Sequence, residues 1–107
     1  MKEYRLLIPF HFNDGTIVPD EIWRGTQREM AARFNGWTRG STVHGEWKDE
    51  NGRTILDISR QYFIASDSPG QMTEFCQWLC EQHKQECIYV AQCGEAKLVH
   101  ARTPETV

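Results

Sequence analysis

The dipeptide Asn51-Gly52 lies between two runs in which apolar and polar residues alternate, and this feature constrains the fold most. A tight hairpin turn needs positive φ angles at its centre, which Asn and Gly adopt more readily than other residues. The flanking runs have the two-residue period of strands. The stretch 41–65 is therefore predicted to form a β-hairpin.

Two loop lengths agree with this turn. A two-residue loop places Glu46 directly opposite Asp57, and a four-residue loop places His44 directly opposite Asp57. The two registers differ by an even step, so both predict the same two faces. The apolar face, expected to pack against helices, comprises Val43, Gly45, Trp47, Leu56 and Ile58. The polar face comprises His44, Glu46, Asp57 and Ser59.

The remaining elements frame this hairpin. Alternation predicts a strand over 3–12, helical spacing predicts helices over 19–35 and 69–85, and a β-rich run at 87–91 predicts a last strand. Right-handed crossovers then give a ferredoxin-like βαββαβ fold of the α+β class. We expect a four-stranded antiparallel sheet with both helices on one face and the other face open.

Size and charge limit the alternatives. A chain of 107 residues with 39% hydrophobic and 25% charged residues is typical of one globular domain. We assign the domain to 1–99 and predict a flexible tail at 100–107. The net charge of −3 disfavours nucleic acid as a partner, because phosphate binding relies on a clustered basic surface.

The cellular compartment is inferred from the short length of the apolar segments. The N-terminal apolar run is too short for a signal peptide, and no stretch has the length of a membrane span, so we expect a cytoplasmic protein without membrane contact. The cysteine spacing has no CxxC motif, which favours reduced thiols. The cysteines are Cys76, Cys80, Cys87 and Cys93.

Three motifs carry a resemblance to a known family. They are Asn13-Asp14-Gly15 after the first strand, Phe34-Asn35-Gly36-Trp37-Thr38 at the helix exit, and the hairpin Gly45-Glu46-Trp47-Lys48-Asp49 with Gly52-Arg53 and Asp57. Over roughly 4–99 the chain resembles a small bacterial family known as a domain of unknown function. The resemblance implies a ferredoxin-like fold, and it implies no settled activity and no catalytic residue.

The polar hairpin face holds the candidate catalytic residues. His44, Asp57 and Glu46 share it by alternation, and His11 on the first strand lies nearby. An imidazole within reach of a carboxylate is the minimum for general acid–base catalysis. A solvated sheet face or a dimer interface would show the same pattern. No HExxH or nucleotide-binding motif is present, so the sequence predicts no metal and no cofactor.

Three further residues are candidates for ligand binding: Arg60, Tyr62 and Tyr89. Strand alternation places Arg60 and Tyr62 on the face that the helices are expected to cover. There the aliphatic part of an Arg covers apolar neighbours, and a Tyr packs with its hydroxyl at the rim. His83, at the end of the second helix, has a position that favours a positive charge.

These patterns favour a non-catalytic binding or regulatory domain that takes a small-molecule or protein ligand. The alternative is a small enzyme of the dimeric α+β barrel kind that uses a His/carboxylate pair for acid–base chemistry. We also expect a homodimer through the open sheet face or an edge strand, because that face has an apolar component. Its apolar residues are Leu7, Ile55, Phe63 and Tyr89.

Overall fold

The computed structural model describes residues 1–102, which form a four-stranded antiparallel sheet and two helices. The order of strands in the sheet is β2-β3-β1-β4, and both helices cover one face. This confirms the ferredoxin-like α+β fold predicted from the sequence. The elements are β1 (Lys2–Pro9), α1 (Asp20–Arg33), β2 (Gly36–Lys48), β3 (Thr54–Ser66), α2 (Pro69–Gln82) and β4 (Tyr89–Glu95). Of the tail predicted at 100–107, residues 103–107 lie outside the described residues.

The core lies between the two central strands and the helices. Alternate residues of β1, namely Tyr4, Leu6 and Ile8, point to the helices and are buried. Their partners across the β1–β3 ladder include Tyr62 and Ile64, which are fully buried. Each such side chain contributes about 1.5–3 kcal/mol on burial, so this layer supplies most of the stabilisation.

Both helices begin and end for local reasons. α1 starts after Pro19 with two acidic residues in its first turn, and it stops when Phe34 turns extended. α2 starts after Ser68, whose hydroxyl accepts the backbone N–H of Gln71 at 3.2 Å. Each helix ends two or three residues earlier than the periodicity predicts. Neither described helix combines the length and the apolar character needed to cross a membrane.

The hairpin turn has three loop residues, and this corrects both predicted registers. The backbone N–H of Asp49 donates to the carbonyl of Arg53 at 3.0 Å, and the N–H of Gly52 donates back to the carbonyl of Asp49 at 3.0 Å. Gly52 has φ of 77°, as expected where a type I turn is followed by a left-handed residue. One Asp49 carboxylate oxygen accepts the N–H groups of Asn51 (2.9 Å) and Arg53 (2.8 Å), which stabilises this turn over the two alternatives.

An odd loop length exchanges the faces of one strand relative to the other. The ladder pairs His44 with Ile58, Gly45 with Asp57 and Trp47 with Ile55. The predicted grouping of the faces is therefore wrong. The open face carries Val43, Gly45, Trp47, Ile55, Asp57 and Ser59, whereas the helix side carries His44, Glu46, Leu56 and Ile58.

Three strand boundaries differ from the predicted ones. β1 ends at Pro9 rather than at residue 12, and β2 begins at Gly36 rather than at residue 41. β4 begins at Tyr89 rather than at residue 87 and continues to Glu95 through a bulge at Cys93-Gly94, with Gly94 at φ 141°. An extra residue in one strand is absorbed by a local bend.

The β2–β3 hairpin projects past the end of β1. We call the projecting part, residues 44–58, the hairpin arm. It makes the molecule elongated, with extents of 62 × 29 × 25 Å and a radius of gyration of 16.4 Å. A compact domain of this length has a radius of about 13 Å. The arm has exposed apolar side chains on both faces, with Leu56 74% and Trp47 43% exposed.

Candidate functional site

A cleft of about 1200 Å³ lies where the hairpin arm leaves the sheet. β1 pairs with β3 only as far as Pro9 and Ser59, and one more hydrogen bond joins the Phe10 N–H to the Ile58 carbonyl. Beyond that point, no strand within residues 1–102 pairs with the edge of β3 on the β1 side. The cleft occupies this space, between the arm and two loops.

Three segments form the walls. The arm forms one wall, the loop after β1 forms the second, and the connection from α2 to β4 forms the third. The lining side chains include His44, Glu46, Trp47, Ile55, Asp57, Leu7, Pro9, His11, Phe12, Gln85, Cys87 and Tyr89.

The wall after β1 is a small hydrogen-bonded loop. The backbone N–H of Phe12 donates to the carbonyl of Thr16 at 2.8 Å, and His11 forms a bridge with Ile17. The side chain of Asp14 accepts both the N–H and the hydroxyl of Thr16, at 2.9 and 2.6 Å. These bonds lower the pKa of Asp14. The Asn-Asp-Gly composition of this turn therefore builds a preformed wall.

The side chain of Gln85 joins the second and third walls. The amide of Gln85 donates to the carbonyl of His11 at 3.0 Å and to that of His83 at 3.2 Å. The cation of Lys84 lies 5.1 Å from the ring of Phe12. These contacts fix the spacing of the two loops opposite the arm.

An aromatic pair spans the cleft across the open sheet face. The rings of Trp47 and Tyr89 have centroids 5.6 Å apart and are tilted by 47°. Trp47 belongs to β2 and Tyr89 to β4, the two outer strands, so their contact requires the sheet to curl. The guanidinium of Arg5 also contacts Tyr89, with Nη2 3.4 Å from the phenol oxygen. The concave face thus presents flat aromatic surface beside a cation.

The four candidate catalytic residues all border the cleft, but they are not paired as predicted. His44 and Glu46 lie on one face of the arm and Asp57 on the other. His11 is exposed on the opposite wall. Asp57 accepts a hydrogen bond from the Ser59 hydroxyl at 3.4 Å, and within residues 1–102 no hydrogen bond joins either imidazole to a carboxylate. The site is therefore open, and the described residues form no His–carboxylate dyad in it.

The three ligand-binding candidates divide between the cleft and the core. Tyr89 lines the cleft. Tyr62 is fully buried, and its hydroxyl accepts the amide of Gln27 at 3.0 Å. Arg60 lies over the ring of Trp23, with its guanidinium carbon 4.3 Å from the centroid. Arg60 and Tyr62 thus belong to the packing beneath the helices rather than to the cleft.

His83 is a buried group whose environment sequence reasoning missed. It is fully buried, and its Nε2 lies 2.7 Å from the hydroxyl oxygen of Thr26. Its ring is edge-on to that of Trp23, with the ring centroids 4.9 Å apart. Burial lowers its pKa to about 4, so the ring is neutral rather than the helix-end cation expected from its position. Its other nitrogen, Nδ1, has no hydrogen-bond partner among the described residues.

The thiols are reduced in the structure, and all four are free. Burial raises the pKa of Cys76 to about 11, which makes that thiol unreactive. Cys87 is exposed at the cleft wall. No group of three or more potential metal ligands is found within residues 1–102.

Comparisons with known proteins identify structural neighbours. No protein-family model and no curated protein matches the chain, in keeping with its resemblance to an uncharacterised family.

Two solved structures share its fold. One is a phage SAM lyase in complex with S-methyl-5′-thioadenosine, with a TM-score of 0.65 and 19% identity, covering 97% of this chain and 90% of that chain. The other is a phage SAM lyase in the apo state, with a TM-score of 0.57 and 19% identity, covering 99% and 91%. The chain therefore has the fold of a known small enzyme over nearly its whole length.

Proposed function

We propose that this protein is a small enzyme that binds SAM, or a closely related sulfonium nucleoside, in the cleft beside the hairpin arm. The observation that carries the proposal is the Trp47–Tyr89 pair facing a cleft with carboxylates, in a chain whose fold matches a SAM lyase end to end. The cleft volume of about 1200 Å³ leaves room for a nucleoside with its substituent. Pockets for such ligands are usually about 300–1000 Å³.

The lining of the cleft suits both ends of a sulfonium nucleoside. A purine ring stacks on an aromatic side chain, and Trp47 offers the largest exposed aromatic surface in the cleft. A sulfonium is a cation, which is attracted to the face of Trp or Tyr and to carboxylates. Glu46 and Asp57 supply those carboxylates from the two faces of the arm.

Cleavage of a sulfonium is favourable at such a site for an electrostatic reason. When the carbon–sulfur bond breaks, its electron pair returns to sulfur, and the cation becomes a neutral thioether. In an elimination, the electron pair of the neighbouring C–H bond forms a carbon–carbon double bond in the released amino-acid fragment, and a base takes the proton. His44, Glu46 and Asp57 on the arm, with His11 opposite, are the candidates for that role.

The proposal is tested by incubating the protein with SAM and following S-methyl-5′-thioadenosine by chromatography. We expect product from the wild type and a loss of about 100-fold or more from the one variant that removes the base. The four variants to compare are Glu46→Gln, Asp57→Asn, His44→Gln and His11→Gln. Glu74→Gln is the matched control, because Glu74 is an exposed carboxylate on α2 far from the cleft lining. Activity that survives all four variants, or an inactive wild type, would contradict the assignment.

A non-catalytic binding domain for the same ligand is the second candidate. It is favoured by the lack, among the described residues, of a hydrogen bond from His44 or His11 to a carboxylate, since a preorganised base normally has such a partner. Binding of S-methyl-5′-thioadenosine without any conversion of SAM would support this reading over the enzyme.

We also propose that the protein assembles as a homodimer, with a second copy covering the arm or the open sheet face. Trp47, Ile55 and Tyr89 are exposed and share the open face of the sheet, and exposed apolar side chains grouped in this way favour an interaction surface. Light scattering at about 100 μM should give twice the chain mass of 12.5 kDa, and Ile55→Lys should shift it towards the monomer. A monomeric wild type would exclude this assembly.

A further inference from the structure

We propose that Arg5 binds the carboxylate of the ligand's amino-acid end, and thereby selects SAM-like nucleosides over thioether nucleosides that lack this end. This inference rests on the proposed function. Arg5 belongs to β1 and lies on the open face, two residues from Leu7, which lines the cleft. Its cross-strand neighbours are Phe63 and Ala91.

The guanidinium adjoins the aromatic part of the cleft. Its carbon lies 5.5 Å from the centroid of the Tyr89 ring, and Nη2 lies 3.4 Å from the Tyr89 hydroxyl. Tyr89 in turn contacts Trp47. One tyrosine therefore separates the aromatic surface proposed for the nucleoside from a cation, and the two adjoin as subsites.

Arg5 has no ion-pair partner among the described residues, so its guanidinium charge can pair with an anionic ligand. Its Nε is buried and has no hydrogen-bond partner within the described residues, and no described carboxylate lies in ion-pair range of it. Arg33, by comparison, has its Nε 2.7 Å from Glu29. A covered guanidinium nitrogen without a partner is unfavourable, because it loses water and gains no acceptor.

A carboxylate is the ligand group that matches this donor set. The guanidinium presents its N–H groups as a planar fork, which binds both oxygens of a carboxylate. SAM carries such a carboxylate on its amino-acid end, whereas S-methyl-5′-thioadenosine has only a methyl group there. The sulfonium and the ammonium group of SAM would be left to Asp57, which shares the open face with Arg5 and Trp47, so the charges of ligand and cleft are complementary.

Calorimetric titration with two unreactive thioethers tests this directly. S-Adenosylhomocysteine retains the amino-acid end, and S-methyl-5′-thioadenosine lacks it. We expect Arg5→Gln to weaken binding of S-adenosylhomocysteine by about 10- to 100-fold, which is the usual loss of a charged hydrogen bond. Binding of S-methyl-5′-thioadenosine should change by less than about twofold. Arg5→Lys keeps the charge without the fork and should lie between Arg5→Gln and the wild type.

Arg24→Gln is the matched control, since Arg24 is an exposed arginine on α1, on the helix side of the sheet. It should alter neither titration. Equal losses for both thioethers in Arg5→Gln would show that Arg5 only supports Tyr89, and no loss for either would show that Arg5 is not in the site. Each result overturns the inference and leaves the proposed function standing. A wild type that binds neither thioether refutes the proposed function, and the inference with it.

Discussion

The helix-covered part of the sheet and the hairpin arm are built from the same strands but differ in what holds them. In the covered part, Leu6, Tyr62 and Phe75 are fully buried between sheet and helices. In the arm, Ile55 and Leu56 are exposed on opposite faces. Packing specifies the first region, whereas the turn alone specifies the second. The covered part should therefore carry the stability, and the arm should carry the function.

The sharpest contrast is between a buried and an exposed apolar residue. The ring centroid of Phe75 lies 5.1 Å from that of Phe34 and 5.8 Å from that of Trp78. Phe75→Ala should lower the free energy of unfolding by about 3–5 kcal/mol. Leu56→Ala on the arm should change it by less than about 0.5 kcal/mol. Urea unfolding of the two variants measures the difference. Similar losses would mean that the arm is part of the cooperative core.

The next prediction concerns pH. Burial lowers the pKa of His83 to about 4, whereas the unfolded chain takes up the proton near 6.5. The contribution of His83 to the free energy of unfolding is therefore fully present above pH 6.5. It falls as the pH decreases towards about 4, because the unfolded state binds the proton first. At about 1.4 kcal/mol per pH unit, the loss reaches roughly 3 kcal/mol. His83→Gln should flatten this part of the urea-unfolding profile, and Leu56→Ala should retain it. An unchanged slope in His83→Gln would contradict the assignment.

The smallest effect is expected at the turn that sets the arm's register. Gly52 has φ of 77°, which costs an L residue about 1–2 kcal/mol, so Gly52→Ala should be destabilising by that amount. Gly36→Ala is the control, because a Cβ at either glycine meets no atom within 4 Å and Gly36 does not have a positive φ. Equal stabilities of the two variants, measured by thermal unfolding, would argue against the three-residue loop.

The contrast between the regions also explains how far the sequence predicts the fold. The alternation of Tyr4, Leu6 and Ile8 and the helical spacing of Met72, Phe75 and Leu79 identify buried faces, and the structure shows those residues buried. These signals are strong because a buried face demands one repeating pattern. Burial of His83 against Thr26 is a contact between two helices distant in sequence, so the spacing within α2 does not reveal it.

The candidate site is less predictable because it depends on one loop length. Alternation groups the residues of β2 and of β3 correctly within each strand, but relating the two strands requires the turn. Asn51-Gly52 is compatible with several loops, and the side chain of Asp49 selects among them by accepting two backbone N–H groups. The Asp two residues before Asn-Gly is the sequence signal from which the three-residue loop could have been predicted. His44 and Asp57 therefore lie on opposite faces, although both border the cleft.

The most direct test of the central claim uses the four tryptophans as reporters. In a ¹⁵N-labelled sample titrated with S-methyl-5′-thioadenosine, the indole N–H signal of Trp47 should shift and saturate, because Trp47 faces the cleft and contacts Tyr89. Trp23 is buried beneath the helices, and Trp37 and Trp78 pack against the same core, so their signals should stay in place. A Trp47 signal that stays fixed at saturating ligand, or a larger shift at Trp37 or Trp78, would contradict the placement of the site beside the arm.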